Sequence, residues 1–141
     1  MTTNTISGSC LCEAVRYEAD GPFSLFQYCH CSRCRRVTGS AHASNLFCSP
    51  AQFRWVAGEN KVTRYALEGA RHFATAFCAL CGSNLPWTNK TGTAVVIPAG
   101  GLTDEPPLKP AQSIMWASRA PWYIPVSELP TYDTYPPRRG Q

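Results

Sequence analysis

Eight cysteines stand within the first 81 of 141 residues, and none occurs in the last 60. They form four groups: Cys10-x-Cys12, Cys29-x-Cys31-x-x-Cys34, a single Cys48, and Cys78-x-x-Cys81-Gly82. Sulfur pairs at such spacing suit zinc, because Zn–S bonds of about 2.3 Å require ligands gathered by short, sharply turned segments. The C-x-x-C-G run provides one such turn. Its backbone N–H groups fold toward the sulfurs, and glycine accepts the positive φ that closes the loop. One turn supplies two ligands, whereas a closed tetrahedral site needs a second pair. Cys10 and Cys12 are the simplest supply, on an expected strand where residues two apart face the same side. Cys29, Cys31 and Cys34 remain as a tight triplet. A site with three protein ligands keeps a position open for water or substrate. The spacing therefore predicts a structural metal on Cys10, Cys12, Cys78 and Cys81, and a reactive one on Cys29, Cys31 and Cys34.

The same residues admit other uses. A redox C-x-x-C usually opens a helix in a βαβ unit, and FCALCGSNLP carries no helical pattern. Cys48 reads as a small buried hydrophobe; as a ligand it would instead close the triplet's fourth position. His30 lies between two candidate ligands and is expected to point away from the metal. His42 and His72 sit in strand-like segments and read as surface or core histidines. Two readings from other classes stand beside an enzyme. The chain could be a zinc-stabilised binding module with both metals structural, or a thiol or metal sensor built on Cys29, Cys31 and Cys34.

The elements that must position these groups are short. AVRYEA, FSLFQY, ASNLFC, FRWV, VTRYAL, RHFATAF and AVVIPA are rich in β-branched and aromatic residues and are separated by Gly, Pro and Asn turns. One helical turn is expected from Ser32 to Thr38, capped by Ser32 and ended by Gly39. Eight of the twelve prolines lie beyond residue 100. That part reads as an extended wrap, about 101–141, anchored on a β core of about 6–100 by Trp116, Trp122 and Tyr123. The expected architecture is one mainly β domain over residues 1–141. Its length lets it bury roughly 70% of the surface exposed when unfolded, without disulfides. Hydrophobic residues at 44% exclude a disordered chain. No apolar run approaches the ~20 residues of a membrane helix. MTTNTISGSC has neither the basic nor the apolar region of a secretion signal, so a cytoplasmic location is expected. In that compartment clustered cysteines bind metal more often than they pair. The net charge of +4 has no basic stripe behind it, which argues against a nucleic-acid partner.

The motifs also carry a resemblance. GSCLCEAVRYEADGPF, YCHCSRCRRVTGSAH and FCALCGSNLP, with echoes in VVIPAGGLTD and SRAPWYIPVSELP, are similar to the family of glutathione-dependent formaldehyde-activating enzymes, which includes centromere protein V. The resemblance implies an Mss4-like fold of small stacked β-sheets around zinc. It places a structural zinc on Cys10, Cys12, Cys78 and Cys81, and an exchangeable zinc on Cys29, Cys31 and Cys34. Glu13 stands where the family often has glycine, at a turn, and the chain is shorter than the enzyme that names the family.

Together, triplet and resemblance imply a carbon–sulfur lyase type of chemistry. A thiol such as glutathione would lose its proton at the three-cysteine zinc and add to formaldehyde or another small carbonyl. Arg33, Arg35 and Arg36 flank the triplet and would orient the carboxylates of glutathione through paired hydrogen bonds. Offsetting the negative metal–thiolate cluster is the alternative use of these arginines.

Overall fold

The structure is a computed structural model that describes residues 4–139. Its elements run β1 (Thr5–Ser9), β2 (Arg16–Asp20), β3 (Leu25–Cys29), α1 (Ser32–Thr38), β4 (Ala43–Cys48), β5 (Phe53–Ala57), β6 (Val62–Ala66), β7 (Ala74–Cys78), β8 (Asn84–Leu85), β9 (Trp87–Thr88), β10 (Val95–Pro98) and β11 (Ser113–Ile114). They form three small sheets, ordered β1-β2-β5, β11-β3-β4-β10-β9 and β6-β7-β8. The expected mainly β architecture of small sheets is borne out. All pairings are antiparallel except that of β11 with β3, which runs parallel and lays the C-terminal segment along the largest sheet.

Alternation explains how one core serves three sheets. Ile6, Tyr17 and Ala19 point inward from the first sheet, Leu46, Val95 and Ile97 from the second, and Ala76, Cys78 and Leu85 from the third. Tyr17 is nearly sealed and meets Trp55 edge-on at 6.1 Å and Phe53 at 5.7 Å. Rings in such tilted contacts add to the hydrophobic gain of burial. No helix among the described residues is long and apolar enough to cross a membrane.

Several local expectations change. The helix spans Ser32–Thr38 as anticipated and ends on Gly39 at φ 64°, whose N–H bonds to Arg35 O at 2.8 Å. Its cap, however, is Cys31: the Cys31 sulfur accepts the Cys34 N–H at 3.3 Å, as a serine oxygen would. Cys10 and Cys12 do not lie on a strand. β1 ends at Ser9, and the two cysteines occupy the turn that leads into β2. Beyond residue 100 the chain is mostly coil with short 3₁₀ turns, as its prolines dictate. Tyr123 and Trp116 pack on His30 with ring centroids 5.2 and 5.0 Å away, whereas Trp122, expected as a third anchor, is 64% exposed.

Candidate metal centres

Two turns build the four-cysteine group. In the first, Cys10 N–H bonds to Val15 O at 3.0 Å, and Glu13 N–H to Cys10 O at 3.1 Å. Closing this turn puts Glu13 at φ 63°, a left-handed conformation that a side chain disfavours. In the second, Gly82 adopts φ 78° and donates to Cys78 O at 2.8 Å, while Cys78 N–H reaches Ser83 O at 3.0 Å. Ser83 ties the turns together, since its hydroxyl accepts the Leu11 N–H at 2.8 Å and lies 3.3 Å from the Cys81 sulfur. The sulfurs of Cys10, Cys12, Cys78 and Cys81 all fall within 4.8 Å of one another. Cys10 and Cys12 are 3.6 Å apart, Cys12 and Cys78 4.0 Å. A tetrahedron of sulfurs around zinc has edges of roughly 3.8 Å, so the donor set fits such an ion. Val15 N–H donates to Cys10 Sγ at 3.3 Å and Leu80 N–H to Cys78 Sγ at 3.4 Å, as thiolates require. The Ser83 hydroxyl, helped by backbone N–H groups, brings Cys81 down to about 5.

The second group is local. Cys29 ends β3, Cys31 caps α1, and Cys34 lies on its first turn, facing inward. Their sulfurs too lie within 4.8 Å of one another, with no fourth cysteine, histidine or carboxylate in the group among the described residues. The Cys34 thiol donates to the Cys29 sulfur, which lowers Cys29 to about 6 and pushes Cys34 far above the usual thiol range. Thr38 closes the helix over the group, its hydroxyl bonding to Cys34 O at 2.8 Å. Ala43, Phe73 and Ile114 complete the surroundings.

Cys48 belongs to neither group. It pairs with Val95 at the far end of β4 from Ala43, about 17 Å along the strand, and is packed in the core. Burial raises its thiol to about 11. His30 is fully buried among His42, Trp116 and Tyr123, and neither ring nitrogen has a partner. It is not one of the converging donors, and burial lowers its imidazole below the usual range. His42 stacks on Tyr28 at 4.3 Å, and His72 is exposed beside Thr91. Of the three arginines, Arg33 lies over the Phe73 ring at 6.0 Å and Arg36 is exposed on the helix. Arg35 is partly buried, with its Nε sealed and unpartnered.

Beside Cys34 opens a cleft of about 50 Å³ whose walls include Thr38, Asn45, Phe73 and Trp87. Reading the sequence for motifs misses these residues. The available signal is Asn45, a polar side chain within the otherwise core-forming run ASNLFC.

The family model for glutathione-dependent formaldehyde-activating enzyme matches residues 5–118, a stretch that holds all eight cysteines. The chain belongs to this family. The resemblance carried by the cysteine motifs is thereby borne out, and with it a general link to glutathione and formaldehyde. No curated protein matches the chain. Among solved structures, that of a Rhodobacter sphaeroides protein determined as a Northeast Structural Genomics target superposes with a TM-score of 0.61. It is 23% identical, and the match covers 76% of this chain and 98% of that one. At this identity the likeness is one of fold.

Proposed function

We propose that the protein joins a small thiol such as glutathione to formaldehyde or a similarly small aldehyde, the reverse being a carbon–sulfur lyase reaction. The observation that carries this reading is the difference in ligand number between the groups, four sulfurs against three. Cys10, Cys12, Cys78 and Cys81 would hold a structural zinc, and Cys29, Cys31 and Cys34 a second zinc with a position left for substrate. When bound there, zinc supplies the Lewis acidity that makes a thiolate available at neutral pH. The chain's own contribution is to keep the three sulfurs together on the β3–α1 junction, with the Cys34 N–H oriented on Cys31. Arg33 and Arg36, both exposed on α1, suit the carboxylates of glutathione, while Arg35, its Nε sealed, suits offsetting the negative metal–thiolate cluster. The eight free cysteines are compatible with a reducing compartment such as the cytoplasm.

The test is Cys31→Ser in the zinc-loaded protein. Serine keeps an oxygen at the helix cap but removes one sulfur, so the far-UV spectrum should be unchanged. Glutathione-dependent consumption of formaldehyde should fall by about 100-fold or more, as for loss of a group acting in the transition state. Equal rates in a folded variant overturn the proposal.

A further inference from the structure

We propose that Asn45 is the subsite for the aldehyde oxygen, its side-chain amide donating hydrogen bonds to that oxygen as the carbon–sulfur bond forms. The inference rests on the reading above and adds a residue and a place for the second substrate. β4 sets the geometry. Ala43 packs on Cys29 and Cys34. Asn45, two residues on, faces the same side, about 7 Å further along the strand. It is only 9% exposed, yet its side chain makes no hydrogen bond among the described residues. Unlike the sealed nitrogens of His30 and Arg35, its polar atoms are not cut off from solvent, so the amide opens onto the cleft that it lines. Gln27, directly across the β3–β4 ladder and equally buried, shows the ordinary solution: its Oε1 accepts from Gln112 Nε2 at 2.8 Å.

The cleft beside Asn45 has the matching size. A water needs about 10–15 Å³ of such space, so some 50 Å³ holds a few waters or one small carbonyl compound, but no tripeptide. Cys34 and Asn45 both line it, which puts an oxygen held by the amide next to the three-cysteine group. Phe73 and Trp87, with ring centroids 5.4 Å apart, form an apolar wall. Beside such a wall a fixed N–H dipole acts more strongly on developing charge than in bulk solvent. The balance of the step is simple. An electron pair of the thiol sulfur forms the C–S bond, the C=O π pair moves to oxygen, and oxygen takes up the proton that the thiol gave up. The product is a hemithioacetal, and nothing is oxidised or reduced. Asn45 supplies the N–H groups that meet the oxygen while it carries charge.

Two variants and one binding measurement on the metal-loaded protein test this. Asn45→Leu keeps the branched shape and removes the donors; kcat/KM for formaldehyde should drop about 100-fold with the KM for glutathione unchanged. Asn45→Asp replaces donor with acceptor and should lose at least as much. Formamide, an unreactive carbonyl compound of similar size, should shift the side-chain amide resonance of Asn45 in the ¹⁵N-labelled wild-type protein. A wild-type rate in either folded variant, or an Asn45 resonance that formamide does not move, overturns the subsite. The formamide measurement decides the matter if both variants fail to fold. Should the wild type consume no aldehyde while formamide still moves Asn45, the carbonyl subsite stands and the thiol-addition reading fails.

Discussion

The four-cysteine group joins turns that are 66 residues apart between Cys12 and Cys78, whereas the three-cysteine group occupies six consecutive residues. The first connects the turn before β2 to the turn after β7, and so links two different sheets. Three of its cysteines also belong to the core: Cys10 and Cys78 are buried there, with Cys81 packed against it, while Cys12 is exposed. The second group hangs on one strand end and one helical turn. A metal that bridges distant segments contributes to folding itself, because no such site exists in the unfolded chain. A metal held within a few residues changes the stability of the rest far less. Turn geometry differs in the same sense. The nonlocal site depends on two positive-φ residues, Glu13 and Gly82, while Cys29–Cys34 contains none.

This contrast can be broken in order of expected size. Cys78→Ser should leave the chain largely unfolded at 25 °C, since structural zinc in small sites contributes on the order of 10 kcal/mol. Circular dichroism checks this, and a melting temperature equal to the wild type's would end the structural role. Next, a chelator added to the metal-loaded protein should empty Cys29, Cys31 and Cys34 first, with the far-UV spectrum preserved. Metal leaving the four-cysteine group should follow at least about ten-fold more slowly and coincide with unfolding. Simultaneous loss of both metals would erase the distinction. The smallest effect sharpens it. Glu13→Gly relieves a left-handed side chain and should stabilise the protein by about 1 kcal/mol, raising Tm by about 3 °C. Calorimetry of the metal-loaded forms measures it.

Residue patterns disclosed much of this, unevenly. ASNLFC is β4 from end to end, an apolar-ended run held between β3 and β10 in the middle of the largest sheet. β1 carries no strand signal of its own: TISGS has one large apolar residue, and its strand character comes from pairing with β2. RHFATAF becomes strand only from Ala74, after a bend at Arg71 and His72. Cys10-x-Cys12 looks like strand alternation, yet the bond from Cys10 N–H to Val15 O forces a turn that no local propensity announces. Ser32 has the usual capping side chain, yet Cys31 caps the helix because its sulfur accepts the same bond as a hydroxyl oxygen. The division of seven cysteines into four and three was legible from spacing alone, since each group needs its own turn chemistry. Asn45 was not, because its meaning depends on which strand face meets the triplet.

The placement of Cys48 gives the protein a built-in zero for counting its own thiols. Core packing leaves it 3% exposed and its proton firmly held, so a water-soluble sulfhydryl reagent has no route to it while the fold persists. Every sulfur that such a reagent titrates in the native state must then come from one of the two clusters. Reactive equivalents thus become a readout of occupancy that needs no metal assay. None are expected with both groups filled and three once the local group is vacated; the remaining five appear together, because loss of the nonlocal metal coincides with opening of the core.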